Sequence, residues 1–253
     1  MRVLRYQARA SDEDEVEPLL IPAGLIGQFE AFAENVTLVD TNKVSLWTNL
    51  SSGGDLAQGG ASAICPVWNA TGWNGAQPCL EITDAANNYM SNNTGTIASM
   101  TSGTDKAWTL MFTFQNTSAI AAELYHGCWS NATQFVLFGH TVAAAFKCAG
   151  TGGTVASAGG TQNTSRHVIA ITGAGAGTTS SIKVYLDGVE IATGSMTLNY
   201  AFTQHIFGAL FRSVTEEGAN TRYANWYLWE STLSLAQTEQ VRAYIKGKWG
   251  GLP

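Results

Sequence analysis

The feature that most restricts the fold is a short segment in which apolar and polar residues alternate on both sides of an Asp-Gly pair. In 181–192 (SIKVYLDGVEIA), Ile182, Val184 and Leu186 alternate with Lys and Tyr before the pair at 187–188, and the alternation then resumes. A two-residue period puts alternate side chains on one face of a strand, and Asp-Gly favours the positive φ angles of a tight turn. The segment therefore predicts an antiparallel β-hairpin.

The chain from residue 26 onward has a similar pattern, in which short apolar runs are separated by the turn-favouring residues Gly, Thr, Ser and Asn. Apolar residues on both faces of 221–230 predict a strand that is covered on both sides or packed beneath the N-terminal segment. Near the C-terminus, Ser234 and Gln237 form a capping-box pair before an apolar stripe that Gly250-Gly251 ends, which predicts one helix. Other strands are predicted at 107–114, 135–138, 142–146 and 167–172. The pattern is typical of an all-β, two-sheet antiparallel sandwich with one short C-terminal helix.

Composition excludes several functional classes. Only 13% of residues are charged and the net charge is −6 without a Lys/Arg cluster, so a nucleic-acid partner is not expected. No apolar run approaches the roughly 20 residues that span a bilayer, and the first residues lack the apolar stretch of a signal peptide. We therefore expect a protein that does not insert into membranes.

The first 25 residues differ from the rest. Five acidic residues fall within 12–17, and Pro18 and Pro22 follow them. A charge run with flanking prolines predicts an extended arm outside the core, which serves docking or oligomerisation or is simply a flexible tail. We divide the chain into this arm (1–25) and a β-sandwich domain (26–253), and we expect a homo-oligomer or a multi-copy assembly.

The chain has four cysteines, an even number that allows three pairings. The adjacent pairings, Cys65 with Cys79 and Cys128 with Cys148, would close short loops. None of the four lies in a CxxC motif, so a zinc site has little support. The sequence thus leaves these residues as candidate disulfide partners and predicts no metal ligand among them.

Three segments resemble the concanavalin A-like lectin/glucanase superfamily in its laminin-G-like branch. They are VSLWTNLSSG at 44–53, with Asn49 where Asp is usual; the hairpin at 182–192; and the tail from IFGAL at 206 to LSLAQTEQVRAYIKGKWG ending at 250. Such domains are common in phage virion proteins and bacterial surface proteins. The resemblance implies a jelly-roll sandwich of about a dozen strands with a concave face that binds carbohydrate in many relatives.

Catalytic patterns are not found. Glycoside hydrolysis needs two carboxyl groups about 5–10 Å apart, and the E-x-D-x-x-E pattern of the glucanases is missing. Glu81 and Asp84 are not spaced for one strand face, and Glu216-Glu217 is predicted in a loop. The four His residues pair with no other ligand type at metal-binding spacing. We therefore expect no enzymatic activity, no metal and no cofactor.

Aromatic residues in polar loops are the remaining candidates, because sugars stack on Trp and Tyr rings. Trp108, Trp226 and Trp249 lie in patterned segments and are predicted to be core. The loop candidates for carbohydrate binding are Trp68, Trp73, Tyr89 and Trp129, with Asn69, Asn74 and Asn131 as hydrogen-bonding neighbours. The alternative is that each loop Trp caps an end of the sandwich.

Three functions follow, in this order of preference. The first is a non-enzymatic virion surface protein (a capsid decoration, fibre or spike subunit) that binds other virion proteins through the arm and contacts host-surface polysaccharide. The second is a secreted or cell-surface carbohydrate-binding module, which would be extracellular. The third is a polysaccharide-degrading enzyme of the same sandwich class, for which no catalytic residues can be assembled.

Overall fold

A computed structural model describes residues 22–58, 64–83, 88–92, 107–117, 124–131, 134–140, 145–150, 153–157, 163–175, 179–197, 204–211, 215–218 and 220–253. The first ten strands in this part of the chain are β1 (Leu25–Glu30), β2 (Val36–Leu38), β3 (Val44–Trp47), β4 (Leu56–Ala57), β5 (Val67–Asn69), β6 (Cys79–Ile82), β7 (Met90–Asn92), β8 (Trp108–Asn116), β9 (Leu124–Asn131) and β10 (Gln134–His140).

The next ten strands are β11 (Phe146–Gly150), β12 (Gly153–Ala156), β13 (Arg166–Gly175), β14 (Thr179–Leu186), β15 (Val189–Thr197), β16 (Gln204–Phe207), β17 (Ala209–Phe211), β18 (Thr215–Gly218), β19 (Thr221–Tyr223) and β20 (Asn225–Trp229). A 3-10 turn lies at Ala33–Asn35, and one helix, α1, at Leu235–Trp249. Glu216 and Glu217 thus lie in a short strand, and the prediction of a loop there is wrong.

Two antiparallel sheets of nine strands form the sandwich. The first sheet has the order β15-β14-β13-β8-β19-β6-β5, with β20 pairing β8 and β1 pairing β20. The second sheet has the order β12-β11-β10-β9-β16-β7-β4-β3-β2. The predicted all-β jelly-roll sandwich with one short C-terminal helix is confirmed, although the described residues form more and shorter strands than the resemblance implied.

The predicted hairpin forms where the sequence placed it. β14 and β15 pair from Leu186↔Val189 outward, and Asp187 and Gly188 have φ angles of 53° and 88°. Both residue types tolerate this left-handed region better than residues with branched side chains. Local turn chemistry therefore determined this element.

The predicted strand at 221–230 is instead two strands that break at Ala224. All five residues of β20 are buried, which confirms that it is covered on both sides. Its inner face packs in the core, and its outer face lies beneath α1, where Tyr227 and Tyr244 both reach Glu30. The helix therefore covers the outer face of the strand that the sequence predicted to be apolar on both faces.

The helix begins and ends as predicted. The Ser234 hydroxyl accepts the Gln237 N–H, and the Gln237 side chain accepts the Ser234 N–H, which completes the capping box. Gly250 and Gly251, with φ angles of 59° and 63°, end the helix. α1 has 15 residues, and no helix in the described part of the chain is long and apolar enough to cross a membrane.

A buried ion pair holds α1 on the first sheet. Lys248 Nζ lies 2.6 Å from Glu30 Oε2, and the two side chains are 14% and 3% exposed. Tyr227 donates to Glu30 Oε1 over 2.9 Å, and Lys248 donates to the Tyr244 hydroxyl over 3.1 Å. Burial alone would lower the pKa of Lys248, but the charge of Glu30 and these hydrogen bonds outweigh burial and raise it. Lys248 is therefore protonated at neutral pH.

The stability of the folded chain is expected to fall under alkaline conditions. Because folding raises the pKa of Lys248, its contribution to stability is complete below the pKa of unfolded lysine, about 10.5, and is lost as the pH rises through the higher folded-state pKa. Urea midpoints at pH 9 and pH 11 measure this loss. A Lys248→Met variant should lose less stability over the same range, and an equal loss in both proteins would contradict the assignment.

The core between the sheets is rich in aromatic rings. Trp226 on β20 lies 5.2 Å from Phe29 on β1 and 6.2 Å from Phe207 on β16 between ring centroids, so it joins the two sheets. A Cβ at Gly27 would lie 2.7 Å from the Trp226 ring, so the glycine makes room for it. Trp108, Trp226 and Trp249 are each 2% exposed or less, as predicted.

The predicted arm lies mostly outside the described residues, as does much of the predicted strand at 142–146. At the boundary, Glu230 N–H donates to Gly24 O and the Ser231 hydroxyl donates to Ala23 O. The last residues assigned to the arm are therefore already attached to the sandwich, and β1 begins at Leu25.

Candidate functional site

The predicted aromatic candidates do not form one exposed platform. Trp68 lies in β5 and not in a loop, and its Nε1–H donates to Ala31 O over 2.7 Å while the half-buried ring packs against the core. Trp73 is 1% exposed, so the expectation of an accessible ring is wrong for this residue, and it caps the sandwich. Tyr89 is half-buried, and the side chain of Trp129 lies outside the described part of the chain. Sugar stacking on these residues stays a prediction.

Two of the three asparagine candidates make bonds within the protein. The side-chain amide of Asn69 donates to Glu81 Oε1 over 3.0 Å, and its Oδ1 accepts the N–H of Thr71. Asn74 donates to Trp249 O over 2.8 Å at the end of α1. The side chain of Asn131 lies outside the described residues. The turn between β5 and β6 is thus a structural link to the helix.

The candidate site is a line of four half-buried polar residues, the polar row, on the outer face of the first sheet. Its members are Glu81 on β6, Arg222 on β19, Gln115 on β8 and Arg166 on β13, each paired in register with the next. Residues directly opposite each other in a sheet project from the same face. The register therefore brings together four polar side chains that are far apart in the sequence.

The polar row contains one ion pair and several unused hydrogen-bonding atoms. Arg222 Nε lies 2.7 Å from Glu81 Oε1, and the two side chains are 33% and 24% exposed. Gln115 donates to Thr164 O, but its buried Oε1 has no partner among the described residues. Arg166 Nη1 donates to Gly251 O over 3.4 Å, and its Nε has no described partner. The row therefore offers guanidinium N–H groups and a carboxylate to a ligand.

The end of α1 borders the polar row. Arg166 contacts Gly251, and Asn74 holds the carbonyl of Trp249, so the helix end and the β5–β6 turn form one wall beside the row. Elsewhere on this sheet face, a hollow beneath α1, lined in part by Met111 and Tyr185, has a cavity volume of about 10 Å³. This volume is below the roughly 300–1,000 Å³ of most ligand pockets. The polar row is the better candidate.

Neither of the two candidate cysteine pairings is found among the described residues. The register of β5 and β6 pairs Asn69 with Cys79, whereas Cys65 lies before β5, and the two cysteines are not bonded to each other. Cys128 and Cys148 flank β10, where they pair with Val136 and Phe138 respectively, so their strands are about 10 Å apart. A disulfide requires Cα atoms within about 7 Å.

Three of these cysteines, Cys65, Cys79 and Cys148, are present as buried thiols, and the side chain of Cys128 lies outside the described residues. Cys79 lies beside the polar row, and a Cβ at Gly72 would be 2.5 Å from its sulfur. Burial, with a smaller contribution from the charge of Glu81, raises the pKa of the Cys79 thiol to about 12.

Cys79 is expected to resist alkylation in the folded protein at pH 8, because only the thiolate is a good nucleophile and the thiol is shielded. Iodoacetamide treatment followed by peptide mass mapping measures this. The residue should be labelled fully in urea without any reductant. Labelling of native protein would show that the turn over Cys79 opens readily, and absence of labelling in urea would show a disulfide.

His167 is the centre of a hydrogen-bonded polar cluster at the end of the hairpin. Its Nδ1 lies 2.6 Å from Asp187 Oδ2, and its Nε2 lies 2.9 Å from Asn163 Oδ1, which also accepts the N–H of Ser165. Both ring nitrogens lie within hydrogen-bonding distance of side-chain oxygens, which fixes the orientation of the ring. Asp187 Oδ1 accepts the N–H of Val168. The cluster closes the end of the hairpin and is structural.

Replacing Asp187 with Ala is expected to lower the free energy of unfolding by roughly 2–4 kcal/mol, because it removes two hydrogen bonds and puts Ala at a positive φ. Urea unfolding at pH 7 measures the change. Asp187→Asn is the matched control: it tolerates the same backbone and keeps an oxygen for Val168, so it should lose less than half as much. Equal losses would show that the charge alone matters.

The other acidic groups do not converge. Among the described residues, no three His, Cys, Asp or Glu side chains lie close enough to hold a metal ion. Glu30 is occupied by Lys248, and Glu81 by Arg222. Asp55 accepts the N–H of Asn49, whose side chain in turn bonds to Gln28 N and Ile26 O. These groups maintain the fold around the first strand.

Sequence reasoning did not identify Arg166, Arg222 and Gln115. Each lies at the end of a predicted strand, where polar residues are ordinary, and only the strand order β6-β19-β8-β13 makes them neighbours. The available signal was strand parity: Arg166 and Arg222 occupy positions that alternate with inward-facing His167 and Tyr223. The alternation along a strand shows which face of the sheet a side chain is on, but it does not show which strand lies beside it.

Comparison with known proteins gives the fold. No family model matches the chain, and no curated protein matches it. Among solved structures, the sialidase of Trypanosoma rangeli in complex with sialic acid is 13% identical over 92% of this chain and 34% of its own, with a TM-score of 0.58. A second structure is of botulinum neurotoxin type C, whose entry into cells depends on interaction with two ganglioside molecules. It is 10% identical over 88% of this chain and 51% of its own, with a TM-score of 0.56. This chain spans about a third of the length of the sialidase and about half of the length of the neurotoxin. Its fold is a lectin-like β-sandwich that is similar to parts of both proteins.

Proposed function

We propose that this chain is a lectin-like carbohydrate-binding domain that catalyses no reaction and is carried in many copies at a virion surface. The observation that carries the binding function is the polar row, which combines guanidinium donors and a carboxylate in four half-buried residues on the outer face of one sheet. Sugars present hydroxyl groups that both donate and accept hydrogen bonds. Planar side chains with fixed donors and acceptors are suited to them.

Individual atoms of the row have defined roles in this proposal. The terminal nitrogens of Arg222 make no bond to other described residues and can donate to sugar oxygens. Glu81 uses Oε1 for Arg222 and Asn69, which leaves Oε2 to accept a sugar hydroxyl. Because Arg222 and Asn69 already fix the carboxylate, binding loses little side-chain entropy.

The two structural neighbours support a carbohydrate ligand. One is described in complex with sialic acid and the other by its interaction with gangliosides, both of which are carbohydrate ligands. Their low identity relates them to this chain through the fold, so the ligand itself must be tested on this protein.

A glycan array probed with the purified chain tests the binding function. We expect retention of at least one glycan class and a clear loss in Glu81→Gln, which keeps the shape of the side chain but removes its charge. The matched control is Glu190→Gln, because Glu190 is a carboxylate on the same sheet that also forms an ion pair, with Lys183 at 3.2 Å, and lies outside the polar row. Failure to bind any glycan would overturn the proposal, as would an identical loss in both variants.

The virion location rests on the resemblance to phage domains and on the acidic, Pro-bearing segment before the sandwich. A pull-down with assembled particles compares the full chain with a variant that lacks residues 1–21. We expect the shortened chain to lose particle binding while it retains glycan binding. Undiminished particle binding would overturn the arm's role, and absence of particle binding by the full chain would favour an extracellular module.

The non-catalytic part of the proposal has its own test. A glycosidase needs two carboxyl groups about 5–10 Å apart across the scissile bond. In the part of the chain that the structure describes, Glu30 and Glu81 are each held by a cation and serve the fold or the row. We expect no release of reducing ends from bound polysaccharide, and steady release would identify an enzyme instead.

A further inference from the structure

We propose that the polar row binds an acidic polysaccharide and that Arg166 contacts its carboxylate or sulfate groups. This inference rests on the carbohydrate-binding function proposed above and adds the chemical class of the ligand. Three features favour such a ligand: the net positive charge of the row, the unused donors of Arg166 and the acidity of the whole chain, which disfavours nonspecific attraction.

Arg166 is a half-buried cation without an acidic partner among the described residues. Its guanidinium has five N–H donors, and its hydrogen bond to a described residue is a long one of 3.4 Å, from Nη1 to Gly251 O. Nε is buried and makes no hydrogen bond with any described atom. Since Nε has almost no exposed surface, an anion would contact the terminal nitrogens, of which Nη2 makes no bond to a described residue. Arg166 is therefore the position of the polar row at which a negatively charged ligand group would be most favourable.

Arg222 gives the site its second guanidinium. Gln115 on β8 lies between Arg166 on β13 and Arg222 on β19, so the two arginine Cα atoms are about 10 Å apart. Glu81 neutralises one of the two charges, which leaves the row with a net charge of +1, from two arginines and one glutamate. Arginine forks bind carboxylate and sulfate oxygens in a bidentate manner. Glu81 Oε2 remains for neighbouring hydroxyl groups.

The net negative charge of the chain means that any binding of an acidic polymer would depend on the polar row itself. The chain carries a net charge of −6, so long-range electrostatics repel a polyanion. Binding of an acidic polymer therefore requires a defined local site, and nonspecific attraction cannot explain it. For the same reason, polyanions with higher charge density, such as nucleic acids, are disfavoured.

The test measures binding of the full chain to two pairs of immobilised polymers at 0.15 M salt. Polygalacturonate is paired with its carboxyl-reduced, neutral form, and dextran sulfate with dextran, so the two pairs distinguish carboxylate from sulfate. We expect at least tenfold tighter binding to one acidic polymer than to its neutral partner. Arg166→Gln should reduce that preference about tenfold, as a lost charged hydrogen bond does.

Matched variants keep the outcomes distinct. Lys183→Gln removes the same charge from an exposed, ion-paired position on the outer face of β14 and should change affinity less than twofold. Arg166→Lys keeps the charge but loses the fork, and should fall between wild type and Arg166→Gln; it also serves if the Gln variant unfolds. Equal binding to acidic and neutral polymers, or no effect of either Arg166 variant, would overturn the inference and leave the glycan function standing. Failure to bind any glycan would overturn both.

Discussion

Replacement of Lys248 with Met should lower the free energy of unfolding by about 3–5 kcal/mol, because it leaves the carboxylate of Glu30 buried without its cation. In a domain of this size that loss corresponds to a decrease in Tm of roughly 6–20 °C. The ion pair joins α1 to β1, and Tyr227 already donates to the same carboxylate. Scanning calorimetry or thermal circular dichroism at pH 7 measures the effect.

Two further variants separate charge burial from helix packing. Lys246→Met removes a lysine from the same helix turn, where no ion pair is found among the described residues, and should change stability by less than about 0.5 kcal/mol. The double variant Glu30→Gln, Lys248→Met removes both charges and should recover most of the loss. If the double variant were as unstable as Lys248→Met alone, lost packing of the lysine stem would explain the result better than charge.

Replacement of Trp226 with Ala should cost about 3–5 kcal/mol, because it opens a cavity at the centre of the sandwich. The ring contacts Phe29 on the first sheet and Phe207 on the second, so its loss weakens the packing between the sheets. Gly27 cannot fill the space, since it has no side chain. Urea unfolding followed by circular dichroism gives the free energy.

The controls for this prediction vary size and burial. Trp226→Phe keeps an aromatic ring and should lose less than Trp226→Ala. Val189→Ala changes an apolar side chain that is 65% exposed at the hairpin and should be nearly neutral. A cost below about 1 kcal/mol for Trp226→Ala would mean that the sheets move together to fill the cavity.

Elements with strong local chemistry were predictable from the sequence. The Asp187-Gly188 turn is fixed by the φ preferences of two adjacent residues, and the start of α1 by a hydrogen-bond exchange between Ser234 and Gln237. The burial of Trp226 followed from alternation within one strand. Each of these signals lies within about ten residues of chain, where periodicity and turn chemistry operate.

The exposure of loop residues was less predictable. Trp73 lies in a polar, Gly-containing turn that resembles a surface loop, but the turn folds over Cys79 and is attached to the end of α1 through Asn74. That attachment joins residues 175 positions apart, and nothing in the local sequence indicates it. The cysteine pairings failed for a related reason, since sequence proximity does not give the register between strands.

The amino-acid sequence by itself determined the strand-rich architecture, the hairpin and the capped terminal helix, because these depend on short-range periodicity, backbone preferences and composition. Only the tertiary structure decided that Glu30 meets Lys248 and that Arg166, Gln115, Arg222 and Glu81 stand side by side. The physical reason is that antiparallel strands become neighbours through long-range hydrogen bonding, and strand order is not encoded in any one segment.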